Sequence, residues 1–128
     1  TQYLLAVDRN NPRVASLYSA FHPAVLRALV HVVREAKAAA KPVSICGEMA
    51  GDPGAAVLLM AMGFDILSMN AASLLKVKSV IRSISRSAAQ ELLRHVLQMD
   101  DAKMVRSAVD LTLYNSGVER LLRSSRTS

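Results

Sequence analysis

Apolar positions in the first half of the chain switch between two rhythms. After Pro23, placed where a first helical turn tolerates proline, Leu26, Leu29, Val30, Val33, Ala36 and Ala40 recur at helical spacing. Lys37 and Lys41 suit the negative end of that helix, and Pro42 stops it. Val43 to Cys46 is a short apolar run and predicts a buried strand. Asp52 predicts a helix cap with Pro53 at the first position, and Gly63 predicts the end of that helix. Ala55 to Met62 is apolar on every face, so this helix must be covered on several sides, by more than the chain itself supplies. Ile66 to Met69 predicts a second strand, and Asn70 to Ser73 turns into another helix. Helix, strand, helix, strand, helix with short connections is the grammar of parallel βα units, whose strands are buried on both faces.

Beyond residue 74 the pattern is helical only. Leu74, Val77, Val80, Ile81 and Ile84 mark one amphipathic helix. Ser87-Ala88-Ala89-Gln90 has the form of a capping box, opening a helix with Ala89, Leu92, Leu93, Val96 and Leu97 on one face. Asp100 is a cap for a third, with Met104, Ala108 and Leu111 aligned. The expected division is βα units over 1–73, a helical end over 74–123 and a disordered tail over 124–128. The expected class is α/β, with two or three parallel strands followed by helices.

Charge changes this picture little. The net charge of +6 is concentrated late: residues 1–73 hold six basic and five acidic side chains, residues 74–128 ten and five. A basic helical module for nucleic acid is one reading. The plainer one sets Lys76, Lys78, Arg82, Arg86, Arg94 and Arg106 on wet helix faces. At 4% aromatics there is no stacking platform for single strands, so no nucleic-acid partner is expected. No apolar run approaches the ~20 residues of a membrane span, so no membrane partner is expected either. One cysteine excludes an internal disulfide and fits a reducing, cytoplasmic setting. The start at Thr1, without a Met, is expected to lie inside a longer protein.

Candidate chemistry falls in two places. Cys46 ends an apolar strand and is followed by Gly47, where parallel folds keep functional side chains. Gly47 and Gly51 allow close backbone approach, and Glu48 and Asp52 are the loop's acids. A lone cysteine on an apolar strand is ordinarily an inert buried thiol. A nucleophile would need a nearby base, and only His22, at a helix start, could serve; with it the chain reads as a thiol-dependent hydrolase. Otherwise the thiol suits proton donation. The second place is Arg9, after the mostly apolar Tyr3 to Val7, read as a strand end or a loop entering a site. Its guanidinium suits phosphate or carboxylate, or simply pairs with Asp8 or a later acid.

Three runs carry a resemblance. Thr1 to Arg9, Cys46-Gly47-Glu48-Met49-Ala50-Gly51-Asp52, and Met62 to Met69 resemble the C-terminal end of the phosphoenolpyruvate-protein phosphotransferases, enzyme I of the bacterial phosphotransferase system, in its nitrogen-related branch. The related pyruvate phosphate dikinases tend to have His-Gly where this chain has Met49-Ala50, though a relative of that type is the alternative. The resemblance implies part of a (β/α)8 barrel that binds phosphoenolpyruvate. It implies that Cys46 is the proton donor and Arg9 a substrate ligand, with Gly47 and Glu48 supporting them. It implies Mg²⁺ in the intact enzyme, with metal ligands and the accepting histidine upstream, so that this chain alone binds no metal and is inactive. The implied partners are phosphoenolpyruvate and a histidine-phosphocarrier protein. A homodimer or strand-swapped oligomer, exchanging Thr1 to Arg9, is also expected.

Overall fold

A computed structural model describes residues 1–117. In chain order the elements are α1 (Gln2–Leu5), a 3-10 turn (Ala15–Leu17), α2 (Pro23–Ala38), β1 (Ser44–Cys46), α3 (Glu48–Gly51), α4 (Pro53–Met62), β2 (Ile66–Ser68), α5 (Ala71–Ser83), α6 (Arg86–Val96) and α7 (Ala102–Asn115). The expected α/β class with parallel strands and trailing helices is therefore present. The tail expected at 124–128 lies outside the described residues.

The two strands pair in parallel, Ser44 with Ile66, Ile45 with Leu67 and Cys46 with Ser68. Alternation along the strands turns Ile45 and Leu67 toward cover and leaves Ser44, Cys46, Ile66 and Ser68 exposed. The expectation of strands buried on both faces is not met, because the described residues cover one side of the sheet only. At the start of the sheet Asp65 acts as a clamp. Its amide donates to Val43 O at 2.9 Å, and its carboxylate accepts from Val43 N at 2.8 Å and from Lys37 Nζ at 2.6 Å. One side chain thus ties both strand starts to the end of α2.

Helix α4 is the centre. Asp52 Oδ1 accepts from Ala55 N at 2.9 Å, Pro53 takes the first turn, and Gly63 closes the helix with a left-handed φ of 99°. Ala55 to Leu59 have no solvent exposure. Each fully enclosed Val or Leu among them is worth about 1.5–3 kcal/mol of apolar burial. The cover comes from α5, α6 and α7 on top of α2 and α3. This corrects the expectation that α4 needs more cover than the chain supplies. The closest approach is at Gly54, where a Cβ would stand 2.7 Å from Val109 Cγ1. Only the missing side chain lets α7 lie down at that point.

Four local expectations are corrected. Residues 2–5 form a helical turn, so of the two readings of this run, strand end or loop, the strand end is set aside. Of that run only Val7 is buried, while Tyr3 is 96% exposed. The cap of α6 is Ser85, whose Oγ accepts from Ala88 N at 3.1 Å, and not Ser87. Ile84, buried and extended just before it, forces the turn two residues early. The cap of α7 is Asp101, which accepts from Lys103 N and Met104 N. Asp100 is instead held by Arg27 Nη2 at 3.3 Å, beside the Leu97 and Met99 carbonyls. Finally, α7 buries Val105, Val109 and Leu113, leaving Met104 and Leu111 outside. The notch at Gly54 selects the slim valine stripe over the neighbouring one.

Two outcomes follow from these contacts. Gly54→Ala lowers stability by about 1–3 kcal/mol in chemical denaturation, through overpacking against Val109. Adding Val109→Ala costs less than the sum of the two single changes, since the sites are in contact. The Asp65 carboxyl is held below its usual pKa by the Lys37 hydrogen bond first and the Val43 N–H second. A carboxyl depressed in the fold stabilises above its unfolded value of about 3.9, and that contribution is lost as pH falls through the folded value. Asp65→Asn therefore lowers Tm at neutral pH, and its difference from the unsubstituted protein closes below about pH 4.

Candidate functional site

Both sequence-derived candidates open onto one cleft. Cys46 is exposed at the C-terminal end of β1. Arg9, Cys46, Gly47 and Glu48 line a cleft of 390 Å³, floored by Val25, Leu29 and Ile45. Tyr18 and Ala20 complete the wall nearest α2. Cys46 is therefore exposed, not buried.

Local chemistry explains how each residue is presented. Arg9 follows a tight reversal in which Ala6 takes a left-handed φ of 51° and Val7 N donates to Gln2 O at 3.1 Å. The Arg9 amide donates to Gln2 Oε1 at 2.9 Å, fixing the backbone where Arg9 lines the cleft. Asp8, one of the acids that could have paired with it, accepts from Asn10 N at 2.9 Å. Arg9 makes no ion pair among the described residues. On the other side, Gly47 N donates to Ser68 O at 3.3 Å, extending the sheet one residue past Cys46. Gly47 then turns at φ 102°, ψ −164°, a region open in practice to glycine alone. Nothing lies within 4 Å of where its Cβ would be, so the requirement is conformational and not one of space. That turn starts α3 and carries Glu48 to the rim.

A second, larger cleft of 710 Å³ adjoins the first across Gly47 and Glu48, which line both. Its walls include Asp52, Ser68, Asn70 and Lys76, from the segments that follow β1 and β2. Asp52 is not free for chemistry there. One oxygen caps α4, and the other accepts from Arg106 Nη1 at 2.8 Å.

The histidines lie elsewhere. His22 caps α2, its Nδ1 accepting from Ala24 N at 3.2 Å, and none of the three lines the Cys46 cleft. The thiolate–imidazole pairing that a hydrolase would need is absent among the described residues. No group of three or more His, Cys, Asp or Glu side chains converges among them either. The described residues do not fit a magnesium site by themselves. No helix among them is long and apolar enough to cross a membrane.

Arg106 is exposed, as expected of a wet helix face, but sequence reading missed its partners. It reaches Asp52 and Asp110 and stands 4.8 Å above the Phe21 ring. Burial opposes its charge, but the bond to Asp52 and the neighbouring carboxylates outweigh that and raise its pKa. The i,i+4 spacing to Asp110 was legible; the partnership with Asp52, 54 residues away, had no sequence signal.

A family model described as the PEP-binding domain of PEP-utilising enzymes matches residues 1–86. A relative in Salmonella typhimurium named "Phosphoenolpyruvate-dependent phosphotransferase system" is 45% identical over 96% of this chain. Two relatives named "Phosphoenolpyruvate-protein phosphotransferase" are similar: 41% identical over 87% of the chain in Geobacillus stearothermophilus, and 45% over 78% in Cupriavidus necator. The chain spans 16%, 19% and 17% of these relatives' lengths.

Proposed function

The chain belongs to the PEP-binding domain family of PEP-utilising enzymes, and on that premise we propose that residues 1–128 are a portion of a phosphoenolpyruvate-binding barrel domain in a phosphotransferase. The enzyme moves the phosphoryl group of phosphoenolpyruvate to one of its own histidines, passes it to a histidine-carrier protein and releases pyruvate. The observation that carries this reading is the shared cleft: an exposed thiol and an arginine without an ion pair among the described residues, from distant parts of the chain, face the same 390 Å³.

The chemistry asks for that pair. Breaking the P–O bond of phosphoenolpyruvate leaves the enolate of pyruvate, whose terminal carbon must gain a proton. A thiol at a strand end can donate its proton. The S–H proton goes to carbon, forming the methyl group, and the thiolate regains a proton from solvent. With no histidine in the cleft, the sulfur is an acid here and not a nucleophile. Arg9 supplies charge-assisted hydrogen bonds to the substrate's phosphate or carboxylate. The open glycine turn at 47 lets the backbone next to the thiol approach the ligand. Magnesium, which the resemblance implies, would add charge neutralisation, and the described residues offer it no ligand set. A carrier protein and a homodimer belong to this same reading of the whole enzyme.

In the full-length protein, Cys46→Ala lowers pyruvate release by about 10²-fold or more while sparing phosphohistidine formation. Rapid-quench assay of both products checks this, and equal loss of both removes the proton-donor role. Arg9→Ala lowers kcat/KM for phosphoenolpyruvate roughly 10- to 150-fold, the worth of one charged contact of about 1.5–3 kcal/mol. Unchanged kinetics would make Arg9 a surface residue.

A further inference from the structure

The two segments that form the cleft touch a common third party. The loop from Cys46 ends at Asp52, whose free oxygen is taken by Arg106 Nη1 at 2.8 Å. The segment leading from Arg9 to α2 passes through Tyr18 and Ala20, which line the cleft, to Phe21, whose ring lies under the same guanidinium at 4.8 Å. Arg106 is itself braced on α7 by Asp110, at 3.1 Å from Nε. Phe21 is buried in the main core, so it is not a movable shelf. A guanidinium suits this junction: its plane stacks on an aromatic face while its edges serve two carboxylates, which an ammonium does not match.

The geometry points to Arg106 as a positioning residue that sets the distance between the Cys46 thiol and the Arg9 wall of the cleft, through Asp52 on one side and Phe21 on the other. It touches no substrate. Its action is to hold the loop 47–52 and the segment 18–21 in one register, so that a ligand gripped at Arg9 presents its reacting carbon to Cys46. The inference rests on the proposed roles of Cys46 and Arg9. It adds that α7, outside the βα units, is needed for their alignment.

The test uses the full-length protein at temperatures where every variant is folded. Arg106→Gln accelerates alkylation of Cys46 by iodoacetamide about threefold or more, followed on the Cys46 peptide by mass spectrometry. It lowers kcat for pyruvate release about tenfold, with the KM for phosphoenolpyruvate within about twofold and phosphohistidine formation less affected. Arg106→Lys falls between, keeping the charge but not the fork. Asp52→Asn, which retains the oxygen that caps α4, gives the Arg106→Gln pattern, and the double variant is no worse than either single one. An unchanged alkylation rate, or equal loss of both products in proportion to the folded fraction, overturns the inference. If Arg106→Gln does not fold, Asp52→Asn alone decides. If the unsubstituted protein releases no pyruvate, the functional reading fails, and the alkylation rates still decide whether Arg106 positions the thiol.

Discussion

Enclosure of α4 is the constraint on which the other features hang. A helix with no polar face cannot stand in water, so the two βα units that generate it must be followed by something that covers it. Here α5, α6 and α7 wrap the side turned away from the strands, and the core they form with α4 is continuous. The crossover through α4 also fixes the parallel pairing of β1 with β2, and with it the place where both strands release their chains.

The parts of this fold legible in the sequence are those decided by near neighbours. Asp52-Pro53 and Gly63 set the ends of α4 through local hydrogen bonds and backbone conformation, so their reading transferred intact. The strand ending at Cys46 was legible from its short apolar run, whereas the positive-φ turn at Gly47 was not foreseen. What could not be read was choice between equivalents. Helix α7 carries two apolar stripes one residue apart, and only the notch above Gly54 decides for Val105 and Val109 over Met104 and Leu111. Ser85 and Ser87 are both able caps, and the burial of Ile84 decides between them. Tyr3 to Val7 has the composition of a strand end, yet the described chain gives it no strand to pair with.

In the candidate site the division is similar. Arg9 and Cys46 were each nameable from their position at the end of an apolar run, but nothing in the sequence says that they share a cleft. The guanidinium that joins their supporting segments was invisible, because its partner Asp52 looked fully used as a cap. A carboxylate has two oxygens. At Asp52 they serve different masters, one the helix below and one the arginine above. Asp65 repeats the device at the opposite end of the sheet, with one oxygen on a backbone amide and the other on Lys37. Short strands of three residues make few ladder bonds, and Asp65 braces them at their start.

The order of elements along the chain also sets an order in time. On the ribosome α4 is finished at Met62, and the last of the helices that cover it ends at Asn115, roughly 50 residues later. At ~5–20 residues per second that is an interval of about 3–10 s. For those seconds the nascent chain holds a wholly greasy helix whose lid has not yet been made, except for the length still shielded in the exit tunnel. A protein built this way depends on pace as well as on affinity: stalling between β2 and α6 would leave α4 waiting beside its neighbours on the polysome, and a chaperone that grips short apolar segments would have its target there.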